Sequence, residues 1–96
     1  MSKVGYTYIL ASDRRGTLYT GVTSDLSGRM WQHKNDVVGG FTKVYGVHRL
    51  VYYEAYDEIE QAIAREKQLK NWQRDWKIQL IEEKNPDWID LYPSLF

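Results

Sequence analysis

Two runs of aromatic and β-branched residues lie close together near the start of the chain, Tyr6-Thr7-Tyr8-Ile9-Leu10 and Thr17-Leu18-Tyr19-Thr20-Gly21-Val22. Residues of these types favour extended backbone. Ser12-Asp13-Arg14-Arg15-Gly16 between them is turn chemistry. Two strands joined by so short a turn make an antiparallel hairpin, because parallel neighbours need a much longer crossover. The rest of the chain must therefore extend this sheet or cover it.

The remaining segments supply both. Thr23-Ser24-Asp25 offers side chains able to cap free N–H groups, which predicts a helix from there to about Asn35. Gly28 inside that helix costs about 1 kcal/mol relative to alanine. Residues 37–47 contain Gly39-Gly40 and Gly46 and read as a loop, mobile enough to move over a substrate. Leu50 to Tyr56 reads as a third strand, in which Tyr52, Tyr53 and Tyr56 alternate between faces. Asp57 followed by Glu60 resembles a capping box and opens a helix from Glu58 to about Asn71. Residues 72–84 are helical again, and Asn85-Pro86 ends that helix. The tail holds Trp88, Leu91, Tyr92, Leu95 and Phe96, and is too apolar to be free, so it is expected to pack on the body. At 96 residues the chain reads as one domain, 1–96, of α/β type with a small antiparallel sheet.

Composition narrows the chemistry. The absence of cysteine excludes disulfide scaffolds, thiolate metal sites and cysteine nucleophiles. Lys+Arg and Asp+Glu number 13 each, so a protein that coats nucleic acid through bulk charge is not expected. Charge is nonetheless uneven: residues 65–77 carry a net +3 and residues 78–96 a net −3. No apolar stretch approaches the roughly 18 residues of a membrane span, and no signal peptide is legible. A cytoplasmic location is the resulting expectation.

Polar residues fall where the core should be. At about 100° per residue, with Leu26 at zero, Met30 lies near +40°, Arg29 near −60° and His33 near −20°. Arg29 and His33 therefore share the apolar side of their helix, one turn apart. On the second long helix, with Ile59 at zero, Glu66 falls near −20°, inside the stripe formed by Ala62, Ile63 and Leu69. A buried carboxylate costs several kcal/mol unless it is paired or binds a metal. Arg29 and Glu66 read either as one buried salt bridge, with His33 as a bystander, or as parts of a site completed by Tyr8 and Tyr19. Arg, His and Tyr suit an anionic phosphate, and Glu suits a divalent cation.

The second reading carries a family resemblance. Tyr6-Thr7-Tyr8 and Tyr19-Thr20-Gly21 resemble the two half-motifs of the GIY-YIG nuclease superfamily, with Tyr8 and Tyr19 in the tyrosine positions. Asp25 to Lys34 resembles that family's arginine-then-histidine helix, and Ala64 to Lys70 its glutamate helix. Phe41-Thr42-Lys43, Leu50 to Glu54 and Asn85-Pro86-Asp87-Trp88 look like the small stand-alone bacterial subgroup. Both half-motifs depart from the family at the centre, where Thr7 and Thr20 replace isoleucine, and Gly5 stands one place before the expected glycine. The resemblance implies a three-stranded antiparallel sheet flanked by three helices, and metal-dependent phosphodiester hydrolysis, of DNA more than RNA, with a place in DNA repair or recombination. It implies Tyr19 as base or water-orienting group and Tyr8 as positioning the nucleophile or phosphate. Arg29 would stabilise phosphoryl charge, His33 would assist proton transfer or bind phosphate, and Glu66 would hold one Mg²⁺ or Mn²⁺. Asn71 and Asn85 are the candidates for a family asparagine.

Other features have plainer readings. Trp72 and Trp76 share a helical face and read as core or a docking seam. Lys67, Lys70, Arg74 and Lys77 form either a solvated face or a weak track for a nucleic-acid backbone. Arg14 and Arg15 are turn residues first, and His48 reads as solvated. The expected partner is nucleic acid, with a protein partner or a second copy supplying target choice. The alternatives are a non-catalytic nucleic-acid-binding module on the same fold and a protein-interaction module using the apolar tail and tryptophans.

Overall fold

The computed structural model describes residues 3–37 and 39–96, so position 38 of the expected loop lies outside the described residues. β1 (Gly5–Ala11) and β2 (Leu18–Thr23) form the antiparallel hairpin, with Tyr8 opposite Gly21 and Leu10 opposite Tyr19. β3 (Arg49–Tyr56) pairs antiparallel with the other side of β1, giving the order β2-β1-β3. Ile9 faces Tyr52 and Leu10 faces Leu50, so Val51 is an extra residue and the pairing carries a bulge there.

The central strand is buried nearly throughout because both faces of the sheet are covered. Tyr8 and Leu10 meet Leu26 and Met30 of α1 (Leu26–Lys34), together with Val47 and Leu50. Ile9 and Ala11 point the other way, into a cluster with Val51, Tyr52, Leu69, Ile81 and Trp88. That second layer is built by α3 (Ile59–Lys70) and α4 (Arg74–Lys84). The result is the α+β architecture expected, a three-stranded antiparallel sheet between helices.

The helix count differs from expectation. Between α1 and β3 the segment read as a loop contains a four-residue helix, α2 (Phe41–Val44), with Gly40 (φ 84°) before it and Gly46 (φ 63°) after it. One turn is too short to show a hydrophobic period. A 3₁₀ turn over Tyr92–Leu95 closes the chain.

The helix starts also differ. α1 begins as anticipated, with Asp25 as N-cap accepting the Gly28 N–H at 3.2 Å. At α3 the capping box does not form: Glu58 is the N-cap residue and makes no side-chain cap bond. The carbonyl of Lys3 accepts the Ile59 N–H instead, at 2.7 Å. A carbonyl two residues before β1 thus satisfies a helix donor that the sequence assigned to Asp57.

The tail packs as its composition demands. Trp88 is fully buried, and Leu91, Tyr92 and Leu95 lie against the α1-side cluster. The Leu91 N–H donates to the Leu50 carbonyl, Asp90 Oδ1 accepts the Leu50 N–H, and Asn85 Nδ2 donates to the Val51 carbonyl. These bonds occupy the open edge of β3, which would otherwise invite another strand. Phe96 is the exception and stays exposed, edge-on to Tyr92. No helix among the described residues is long and apolar enough to cross a membrane.

Candidate active site

Tyr8 sits at the middle of β1, so its side chain is buried before any site is built around it. Its ring lies across Gly21 of β2, where a Cβ would come within 2.5 Å of the phenol. Glycine ends the second half-motif because nothing larger leaves room for this tyrosine. Tyr19, two residues earlier on the same face, places its ring 6.4 Å from that of Tyr8, centre to centre, and remains half-buried.

α1 brings the next two groups over this face. The His33 ring is buried, 5.9 Å from the Tyr8 ring and 5.8 Å from the Tyr19 ring. Its Nε2 lies 3.2 Å from the Tyr8 hydroxyl, and its Nδ1 lies 3.3 Å from Oγ1 of Thr42 on α2. Arg29, one turn earlier, is half-buried. His33 thus lies on the buried side of α1, as the helical period predicts.

The electrostatics match this geometry. Burial pushes the Tyr8 phenol up to about 12, and Tyr19 adds to the rise; Arg29 opposes it, and Glu66 adds a smaller rise. The His33 imidazole is held below its ordinary value, by burial first and then by Arg29 and His48. At neutral pH the pair is a neutral phenol facing a neutral imidazole.

Glu66 comes from α3, which packs across β1 and β2 from the opposite layer, yet its charge is felt at Tyr8. Its side chain is 14% exposed and ion-pairs with Lys70 at 3.0 Å. The alternative of an Arg29–Glu66 salt bridge is not what the structure shows, since the carboxylate's ion pair is with the next turn of its own helix. Among the described residues no group of three or more acidic or imidazole side chains forms a metal cage. Glu66 would offer a cation one carboxylate, a donor set that suits Mg²⁺, which keeps several of its waters.

The basic residues divide. Lys67 is exposed, Lys70 is paired to Glu66, and Lys77 is half-buried with its pKa lowered by burial and by neighbouring Arg74 and Lys70. Arg74 donates to the Gly16 carbonyl at 2.7 Å and so braces the hairpin turn. Arg15 is tied to Glu82 at 2.8 Å. His48 is not merely solvated, because its Nε2 lies 2.7 Å from Asp36 Oδ1. Asn85 is spent on the Val51 and Ile89 carbonyls, whereas Asn71 is the exposed C-cap of α3. Trp72 packs partly on the core, but Trp76 is half-exposed, with the two rings edge to face at 6.0 Å.

Two residues near the site escaped sequence reasoning. Thr42 contacts His33 across a connection of nine positions that no local period relates. Phe41 stacks on the Tyr19 ring at 6.1 Å and Tyr45 follows at 4.7 Å, so the short α2 turn lines the outer side of the tyrosine pair. A glycine-bounded aromatic pair was the available signal.

The fold is a small α+β domain with two tyrosines and a histidine gathered on the α1 side of its sheet. Residues 4–79 match the family described as the GIY-YIG catalytic domain, and the chain belongs to that family. It is 36% identical over 78 residues to a UPF0213 protein of Staphylococcus saprophyticus, covering 81% of this chain and 94% of that one. A UPF0213 protein of Staphylococcus epidermidis is 35% identical over 68 residues, covering 71% and 83% respectively. The solution structure of the UPF0213 protein BH0048 from Bacillus halodurans superposes with a TM-score of 0.56 at 31% identity, over 91% of this chain and 92% of that one.

Proposed function

We propose that this chain is a divalent-metal-dependent endonuclease that hydrolyses phosphodiester bonds, with DNA as the leading substrate and a role in repair or recombination. The observation that carries the reading is the meeting of the Tyr8–His33 pair and Tyr19 on the α1 side of the sheet.

Glu66 would hold the cation, Mg²⁺ or Mn²⁺. When bound, that ion supplies phosphate polarisation and a place for water. The residues do the rest. Arg29 neutralises charge that develops on the phosphoryl oxygens, as a preorganised donor does in a site with little water. Tyr19, half-buried, orients the attacking water. Tyr8, kept a neutral phenol by its burial and held by His33 Nε2 at 3.2 Å, positions the nucleophile or the phosphate. Lys67, Lys70, Arg74 and Lys77 add weak, salt-sensitive attraction along the flanking backbone.

The test is a cleavage assay on branched, nicked and single-stranded DNA and RNA with Mg²⁺, Mn²⁺ or chelator. Cation-dependent nicking should be lost in Glu66→Ala and should fall about 100-fold or more in Tyr19→Phe, the usual scale of a proton-transfer or orienting group. Salt-sensitive binding without cleavage in the unaltered protein would replace the enzyme with a binding module.

A further inference from the structure

Aromatic rings run outward from the site in an unbroken series. The buried His33 ring lies 5.8 Å from that of half-buried Tyr19. Tyr19 lies 6.1 Å from Phe41, with the two planes 29° apart, and Phe41 lies 4.7 Å from Tyr45. Phe41 is 45% exposed and Tyr45 56%, so the last two rings leave much of their area in solvent. Aromatic side chains gain most from burial. Packing on Tyr19 accounts for Phe41, but Tyr45 reaches only Phe41, and its place is unexplained by the core.

The turn that carries these rings is held in place and free of negative charge. Thr42 between them is buried, with Oγ1 3.3 Å from His33 Nδ1, and its carbonyl accepts the Val47 N–H at 2.9 Å. α2 is therefore anchored before any ligand arrives, which lowers the cost of ordering a binding surface. Lys43 is exposed and makes no ion pair among the described residues. Asp36 is the only acid between α1 and β3, and its Oδ1 lies 2.7 Å from His48 Nε2. Exposed rings beside a free cation suit a ligand with flat π faces and negative charge, which is the chemistry of an unpaired nucleotide. A protein interface takes some 20–30 residues a side, and this is one helical turn.

We propose that Phe41 and Tyr45 form a stacking platform for an unpaired base of the strand at the site, with Lys43 on its backbone. The inference rests on the nuclease reading for the place of the strand. It narrows the substrate class to nucleic acid with single-stranded character beside Tyr19, since the bases of a continuous duplex keep their faces stacked on one another.

The test is binding of a short single-stranded DNA carrying 2-aminopurine, and of a duplex of the same length, to the full chain in chelator. The unaltered protein should quench the 2-aminopurine of the single strand and bind that strand more tightly than the duplex. Tyr45→Leu keeps apolar bulk but loses the π face. It should relieve the quenching and weaken single-strand binding about tenfold, the worth of one stacked base, with duplex binding within about twofold, and Tyr45→Trp should restore both. Phe41→Leu should act in the same way; if it does not fold, Tyr45→Leu decides. Lys43→Gln should lower the slope of log affinity against log salt by about 0.7, one single-strand phosphate contact, and Tyr45→Leu should leave that slope unchanged. Single-strand affinity unchanged in Tyr45→Leu, or an equal loss on the duplex, overturns the proposal. So does self-association of the chain that Tyr45→Leu abolishes while DNA binding stays intact, because the rings would then be a face between two copies. Absence of cleavage in the unaltered protein would refute the nuclease reading, and the binding result would still decide on the platform.

Discussion

A methyl group at position 21 would lie 2.5 Å from the Tyr8 ring, closer than any packed carbon tolerates. Gly21→Ala must therefore move the tyrosine or the hairpin. The expected loss is about 1–3 kcal/mol, the usual cost of overpacking, measurable by urea unfolding. Gly28 is a second case in which space outranks propensity. An alanine there would ordinarily add about 1 kcal/mol to the helix. Here its Cβ would sit 2.2 Å from Asp25 Oδ2 and displace the cap, a loss of similar size. Gly28→Ala should leave stability nearly unchanged, and in an Asp25→Ala background it should stabilise by about 1 kcal/mol; equal gains in both backgrounds would contradict the account. The sequence reading registered Gly28 as a conflict because propensity is local, while its explanation is a contact to the preceding turn. Arg29, His33 and Glu66 were legible for the opposite reason: a helical period alone fixes which side they share with the apolar residues. Thr42 was not legible, since only the folded chain brings it to His33.

At the level of elements, the hairpin, the third strand and the three long helices follow from periodicity and turn chemistry. The errors fall at short or non-local features. α2 is a single turn, and the start of α3 is satisfied by the Lys3 carbonyl where a side-chain cap was expected. The tail was expected to pack, and its hydrogen bonds to Leu50 and Val51 explain how. Trp88 is the anchor of that segment. Its backbone adopts φ 57°, costly for a bulky residue, while its indole is fully buried and donates to Glu82 at 2.7 Å. Trp88→Ala should cost about 3–5 kcal/mol and should speed amide exchange at Leu50 and Leu91. Unchanged exchange at both amides would mean that the tail does not protect the β3 edge.

Across the whole molecule, Glu82 joins the hairpin turn, α4 and the tail. Arg15 donates to both of its oxygens, at 3.0 and 2.8 Å, and Trp88 donates to one of them. The hydrogen bonds from Arg15, then from Trp88, hold its carboxyl down from 4.5 to about 2. A depressed carboxyl stabilises the fold above its unfolded value and loses that contribution as pH falls through its folded value. The window is therefore about pH 4.5 down to about pH 2. Glu54 acts in the same direction: burial would raise it, but Arg65, Tyr52 and Tyr56 outweigh that and keep it below the usual range. Thermal unfolding against pH should show Glu82→Gln less stable than the unaltered protein near neutrality, with the gap closing toward pH 2. Parallel curves would refute this linkage.

The central proposal is that Glu66 of α3 would hold a cation beside the two tyrosines. Paramagnetic relaxation by Mn²⁺ tests this most directly, because it reports where the ion sits whether or not a substrate is present. Substoichiometric Mn²⁺ should broaden resonances of Glu66, Tyr19 and Gly21 together, and Glu66→Gln should abolish the effect. Broadening centred elsewhere, or undiminished in Glu66→Gln, would contradict the account.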